Sequence, residues 1–104
     1  MYARNASFRL KSNMQSEYIH IFENQILPLL RTQKGFKEGI TLANPGSLDA
    51  VAISLWDNKV NAEAYHTTTY PEVLKTFARL IDGTPKIQTF DEVTSTFHNV
   101  PVAV

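Results

Sequence analysis

The residues of this chain best equipped for chemistry gather in one stretch, Trp56-Asp-Asn-Lys-Val-Asn-Ala-Glu-Ala-Tyr65-His66, with Tyr70 just beyond it and Asn5 far upstream. An indole can stack on a flat aromatic compound and fix one polar group through its N–H. Tyrosine hydroxyls can donate hydrogen bonds into a pocket, and an asparagine amide can orient a phenol or carbonyl. A neutral imidazole at His66 could take a phenolic proton. Most of these residues also have a plainer reading: Trp56 as core or interface filler, Asn5 as an ordinary strand or edge-facing amide, and Tyr65 and Tyr70 as core tyrosines with exposed hydroxyls.

The rest of the inventory removes whole classes of chemistry. There is no Cys, so disulfides, thiolate nucleophiles, iron–sulfur clusters and thiolate metal sites are excluded together. The three histidines are scattered without ligand spacing: His20 lies off the apolar side of a helix and reads as solvated, and His98 reads as a surface or interface residue. None of the four glycines forms a G-x-G-x-x-G phosphate cradle. Ten Lys and Arg against ten Asp and Glu produce no basic field, which argues against nucleic acid and anionic membranes as partners. With 43% hydrophobic residues over 104 positions the chain can bury a core, and a single domain over residues 1–104 is expected. The alternating N-terminus lacks the continuous apolar stretch of a signal peptide, so a cytoplasmic location is the default expectation.

The elements that must position these residues can be read from periodicity. Tyr2, Arg4, Ala6, Phe8 and Leu10 share one phase of a two-residue period, a first strand. Ser12-Asn13-Met14-Gln15 has the form of a capping box, and Met14, Tyr18, Ile21, Phe22, Ile26, Leu29 and Leu30 make a helical stripe that Pro28 should kink. Phe36, Ile40 and Leu42 alternate along a second strand, and Asn44-Pro45-Gly46-Ser47 makes a hairpin turn. The third strand runs from Asp49 to Trp56, with Val51, Ile53 and Leu55 on one face and Ala50, Ala52, Ser54 and Trp56 on the other. Asp57 and Asn58 offer a cap for a short helix from about Lys59 to about Thr67; a second helix restarts at Pro71 and carries Val73, Leu74, Phe77, Ala78 and Ile81 before stopping at Asp82-Gly83-Thr84-Pro85. A last strand is expected from about Lys86 to His98.

This order predicts an α+β fold, a ferredoxin-like βαββαβ unit with an antiparallel sheet. Both helices then cover one sheet face. Ala50, Ala52, Trp56 and Phe90 are poor residues for a wet surface, which points to a homodimer pairing the uncovered faces, with the apolar tail Val100 to Val104 lying across a partner.

On the stretch Val51 to His66, a hydrophobic strand ending in Trp followed by a polar stretch and an aromatic-bearing helix, the chain resembles the antibiotic-biosynthesis-monooxygenase-like group of the dimeric α/β-barrel superfamily. The resemblance implies a dimeric α/β barrel. It also implies a cofactor-independent monooxygenase-like activity on a small planar aromatic or polyketide-type compound, with Asn5 and Tyr65 as polar orienters, Trp56 as stacking wall and His66 as base. The other reading is a non-catalytic dimeric module of the same fold that binds a small hydrophobic ligand or serves as an accessory or stress-response protein. The group's haem-degrading members use a strand Asn, a helix Trp and a haem-ligating His. Alignment on Trp56 keeps Asn5 but places Tyr65 and Lys75 at the other two positions, so no haem and no other cofactor is expected.

Overall fold

The computed structural model describes residues 1–44 and 46–94. Its elements are β1 (Tyr2–Leu10), α1 (Gln15–Ile21), a π-helical segment (Phe22–Ile26), α2 (Leu27–Arg31), β2 (Phe36–Ala43), β3 (Asp49–Trp56), α3 (Lys59–Thr68), α4 (Tyr70–Phe77) and β4 (Ile81–Phe90). The strands form one antiparallel sheet in the order β2-β3-β1-β4, the ferredoxin-like α+β arrangement expected from the sequence. Leu10, Tyr18, Ile21, Phe22, Leu30, Trp56, Tyr65, Val73 and Phe77 belong to one core between sheet and helices.

Helix one differs from expectation at its start. Asn13 takes a left-handed conformation (φ 65°), Met14 is the N-cap, and no side chain caps the helix. The Gln15 amide reaches across instead, donating to the carbonyls of Asn44 (3.0 Å) and Ser47 (2.7 Å), so it ties the helix to the β2–β3 turn rather than closing a capping box. Pro28 does not break the helix, because the wider π turn of Phe22–Ile26 precedes it and absorbs the disruption from the missing N–H.

The third strand keeps its expected bounds but faces the other way. Tyr2 pairs with Trp56 and Arg4 with Ser54, so Ala50, Ala52, Ser54 and Trp56 lie beneath the helices while Val51, Ile53 and Leu55 face outward. Alternation groups the residues of an apolar strand by face without saying which face is covered. Strand β2 adds a phase change: a bulge between Phe36 and Glu38 sets Phe36 opposite Trp56 on the helix side, whereas Ile40 and Leu42, opposite Ile53 and Val51, turn outward. The uncovered face therefore carries Ile40, Leu42 and Phe90, all exposed, beside Val51, Ile53 and Leu55.

Strand β4 begins at Ile81, not Lys86. Ile81 pairs with Leu10, and Asp82 to Pro85 form part of the strand instead of a helix stop. A register shift between Ser7 and Arg9 and the positive φ of Gly83 (84°) accommodate this stretch, and Pro85 is tolerated because β4 is an edge strand. The strand ends at Phe90, so Asp91 to Thr94 do not extend it. Phe97, His98 and the tail Val100 to Val104 lie outside the described residues.

Candidate functional site

A cavity of about 60 Å³ sits between the sheet and the helices. Its walls are mostly apolar, with Phe22, Val73, Leu74 and Phe77 from the helices and Ala6 and Ala52 from the sheet; Arg4, Tyr18, Ser54, Tyr65 and Tyr70 supply the polar groups. No carboxylate or imidazole lines it.

Arg4 stands in the inward phase of β1, opposite Ser54, and only 5% of it is exposed. Its guanidinium carbon lies 4.1 Å from the centroid of the Tyr70 ring and 5.3 Å from that of Tyr65, both cation–π contacts. One terminal nitrogen hydrogen-bonds to Nδ1 of His66 at 3.1 Å. The His66 ring in turn stacks on Tyr70 (centroids 5.4 Å apart, planes 16° apart). Nε of Arg4 is buried with no hydrogen-bond acceptor, and Arg4 joins no ion pair among the described residues. On its other side Arg4 meets an open groove of about 250 Å³, lined also by Tyr2, Lys59, Glu63, His66 and Thr89.

The helix that carries Tyr65 and His66 is anchored at its start. Asn58 accepts from the Asn61 N–H at 2.9 Å as the N-cap, and the Asn61 amide donates to Asp57 Oδ1 at 2.8 Å. Gly35, at φ 80°, accepts from the Asp57 N–H at 2.8 Å, and a Cβ at Gly35 would collide with Asp57 and Asn61. From this start, helical spacing buries Ala62 and Tyr65 and leaves the neighbouring His66 exposed.

Trp56 is fully buried and is not among the cavity's lining residues. Its indole N–H donates to Ser54 Oγ at 2.9 Å, and its ring packs on Tyr65 (5.0 Å) and edge-on to Phe36 (5.5 Å). It supports the wall from behind. With the Ser54 oxygen accepting from Trp56, the Ser54 hydroxyl hydrogen can point elsewhere. Burial pushes the Tyr65 hydroxyl up to about 12 against the opposing pull of Arg4, so Tyr65 keeps its proton at neutral pH and its hydroxyl is able to donate. Burial likewise lifts Tyr18 to about 12, although its hydrogen bond with Thr41 Oγ1 (3.2 Å) works the other way.

Of the residues singled out from the sequence, Tyr65, His66 and Tyr70 come together around Arg4, with Trp56 packed behind Tyr65. Asn5 does not join them: it shares the opposite sheet face with Ile53 and Gln88, its amide donates to Ser7 Oγ at 3.3 Å, and its Oδ1 is buried without a partner. Sequence reasoning passed over Arg4, although a charged residue in phase with Tyr2, Ala6, Phe8 and Leu10 was the available signal. Lys75, at the position of the haem-degrading subgroup's iron ligand, is exposed and pairs with Glu72 at 3.6 Å, so a histidine-ligated haem does not fit these residues. The described residues hold no cluster of His, Asp and Glu able to bind a metal ion.

No protein-family model matches the chain, and no curated protein matches it in sequence. Solved structures do match its shape. A monooxygenase of Streptomyces coelicolor, crystallised with nanaomycin D, superposes with a TM-score of 0.76 at 13% identity, covering 90% of this chain and 88% of that one. A Bordetella bronchiseptica protein named as a putative antibiotic biosynthesis monooxygenase gives 0.75 at 12% identity over 89% and 97% of the two chains. The fold is that of the antibiotic-biosynthesis-monooxygenase-like domains. A Nitrosomonas europaea protein of unknown function shares it as well, with a TM-score of 0.74 at 16% identity over 98% and 95% of the chains. At these identities the likeness establishes architecture and leaves chemistry to the site. No helix among the described residues is long and apolar enough to cross a membrane.

Proposed function

We propose that the chain is a cofactor-independent monooxygenase-like protein of the cytoplasm, acting as a homodimer on a small, planar, electron-rich aromatic or polyketide-type compound. The observation that carries this reading is the apolar, tyrosine-walled cavity between sheet and helices, in a fold shared with a monooxygenase crystallised with nanaomycin D. The reaction would draw its electrons from the substrate. An enolate or phenolate passes one electron to dioxygen, the two radicals combine into a peroxide anion, the proton lost in forming the enolate or phenolate returns to it as a hydroperoxide, and loss of water leaves a carbonyl. The balance for a reactive ring methylene is one CH₂ and one O₂ giving one C=O and one H₂O.

The protein's part is to bind, orient and exclude bulk water. Tyr65 and Ser54 offer hydroxyl donors, and Trp56 holds both from behind. About 60 Å³ accommodates only a few waters, so a ring must displace the half-buried Leu74 and Tyr70 at the cavity wall. Pairing of the uncovered faces, which carry Ile40, Leu42 and Phe90, would remove an apolar surface from water.

One observation favours the non-catalytic reading: no base lines the cavity, and the Nδ1 lone pair of His66 is engaged by Arg4. Oxygen consumption separates the two. An anthrone probe in the presence of a metal chelator is expected to consume one O₂ per carbonyl formed, faster with protein than without. Ligand-dependent Trp56 fluorescence change with no added oxygen uptake would assign the fold to binding alone.

A further inference from the structure

We propose that the cavity is an anion site in which Arg4 receives the ionised oxygen of an aromatic acid, so that the ligand class is an aromatic ring bearing a phenolate, enolate or carboxylate at its edge. The proposal deepens the reading above, since it rests on the cavity being the ligand site, and it names Arg4 as the group that receives the ligand's charged oxygen.

Arg4 is the starting point. A guanidinium keeps its charge in a protein interior, and a buried charge is costly unless it is paired. Here 95% of the residue is withdrawn from solvent without any carboxylate against it. Glu63, which shares the outer groove with Arg4, is ion-paired with Lys59 at 3.8 Å. Tyr70 and Tyr65 meet the guanidinium through ring faces, and His66 takes one edge nitrogen. Nε is left without an acceptor.

The other polar groups of the cavity have the same sense. Tyr65 presents a protonated hydroxyl, and Ser54, directly opposite Arg4 in the β1–β3 register, accepts from Trp56 and keeps its hydroxyl hydrogen to donate. A cavity whose polar lining is one unpaired cation and hydroxyls able to donate suits an acceptor-only group, and an ionised oxygen is such a group. The apolar remainder of the wall suits the ring that carries it.

The test uses matched single-ring probes in calorimetric titrations of the full chain: benzoate against benzamide, and 4-nitrophenolate against 4-nitroanisole. Wild-type protein is expected to bind at least one anion ~10-fold or more tightly than its neutral partner, the ratio expected of a charge-assisted hydrogen bond. Arg4→Met is expected to bring that ratio to near one while retaining the neutral probe. Arg4→Gln gives the same reading should Arg4→Met fail to fold. Which anion is preferred tells a carboxylate ligand from a phenolate. Equal binding of anion and neutral partner by the wild type would overturn the charge requirement and leave the cavity reading intact. Discrimination that survives in a folded Arg4 variant would overturn Arg4 as the receptor. Failure of all four probes to bind would overturn the proposal and the cavity reading together.

Discussion

Arg4 and His66 are joined by a hydrogen bond of 3.1 Å from the guanidinium to Nδ1 of the imidazole. Arginine only donates, so Nδ1 is the acceptor and a neutral His66 carries its proton on Nε2. The nitrogen that would have to act as a base is already occupied by a cation. His66 can accept a substrate proton only if Arg4 lets go of it.

This tautomer is directly observable. Long-range ¹H–¹⁵N correlation spectra are expected to show neutral His66 as the Nε2–H form, and Arg4→Met is expected to release it to a mixture. An Nδ1–H form in the wild type would mean that the Arg4 contact does not persist in solution.

Tyr18 and Tyr65, both lifted from 10.0 to about 12, set an alkaline limit on stability. Their raised values mean that the unfolded chain loses these protons first. Their contribution is fully present below pH 10 and is lost as the pH climbs toward 12, at about 1.4 kcal/mol per pH unit for each tyrosine. Urea unfolding across this range is expected to show that decline, and Tyr65→Phe is expected to make it shallower. An unchanged slope in that variant would refute the assignment.

Trp56 stands behind the cavity wall, so its loss is expected to act on the fold before it acts on a ligand. Trp56→Ala is expected to cost ~3–5 kcal/mol, and Trp56→Phe less, chiefly by depriving buried Ser54 of its donor. His20→Ala, at an exposed position of α1, is expected to be nearly silent. A Trp56 variant with wild-type stability but no ligand binding would show that the indole touches the ligand itself.

The uncovered sheet face is best probed at Leu42, which is 55% exposed and so tolerates polarity within one chain. Leu42→Asp is expected to yield a folded monomer in sedimentation, because it strands a carboxylate between apolar faces. The wild type is expected to remain a dimer at micromolar concentration and in high salt, burying ~2,000 Å² or more. A wild-type monomer would defeat the pairing. Ala52, which the sequence assigned to this face, lines the helix-side cavity and would be the wrong position to test.

Much of the architecture was legible because its signals are local. The alternation of β1, the Asn58 cap and Pro71 in the first turn of α4 each place an element with little help from the rest of the chain. What escaped was set by partners distant in sequence. Both faces of β3 are apolar, so only its pairing with β1 shows that Trp56 points toward the helices. The bulge after Phe36 shifts the phase of β2 without marking its composition. Gln15 looked like a local cap because its contacts with Asn44 and Ser47 lie some thirty residues away. Asn5 and Arg4 are adjacent, and their opposite faces follow from period two once either is placed. Arg4 carries the same period-two signal as its apolar neighbours Tyr2, Ala6 and Phe8, and its charge alone does not say that it is buried.

The π-helical segment sets the shape of the cavity's long wall. Tyr18, Phe22, Ile26 and Leu30 all line it, each four residues after the last. In regular α-helical winding four residues overshoot a full turn by ~40°, so three such steps would carry the file about a third of the way around the helix. The π turn spends more residues per revolution between Phe22 and Ile26 and cancels part of that drift. All four side chains therefore stay on one side of the helix and reach the same wall because of local winding, a property of residue count rather than residue identity.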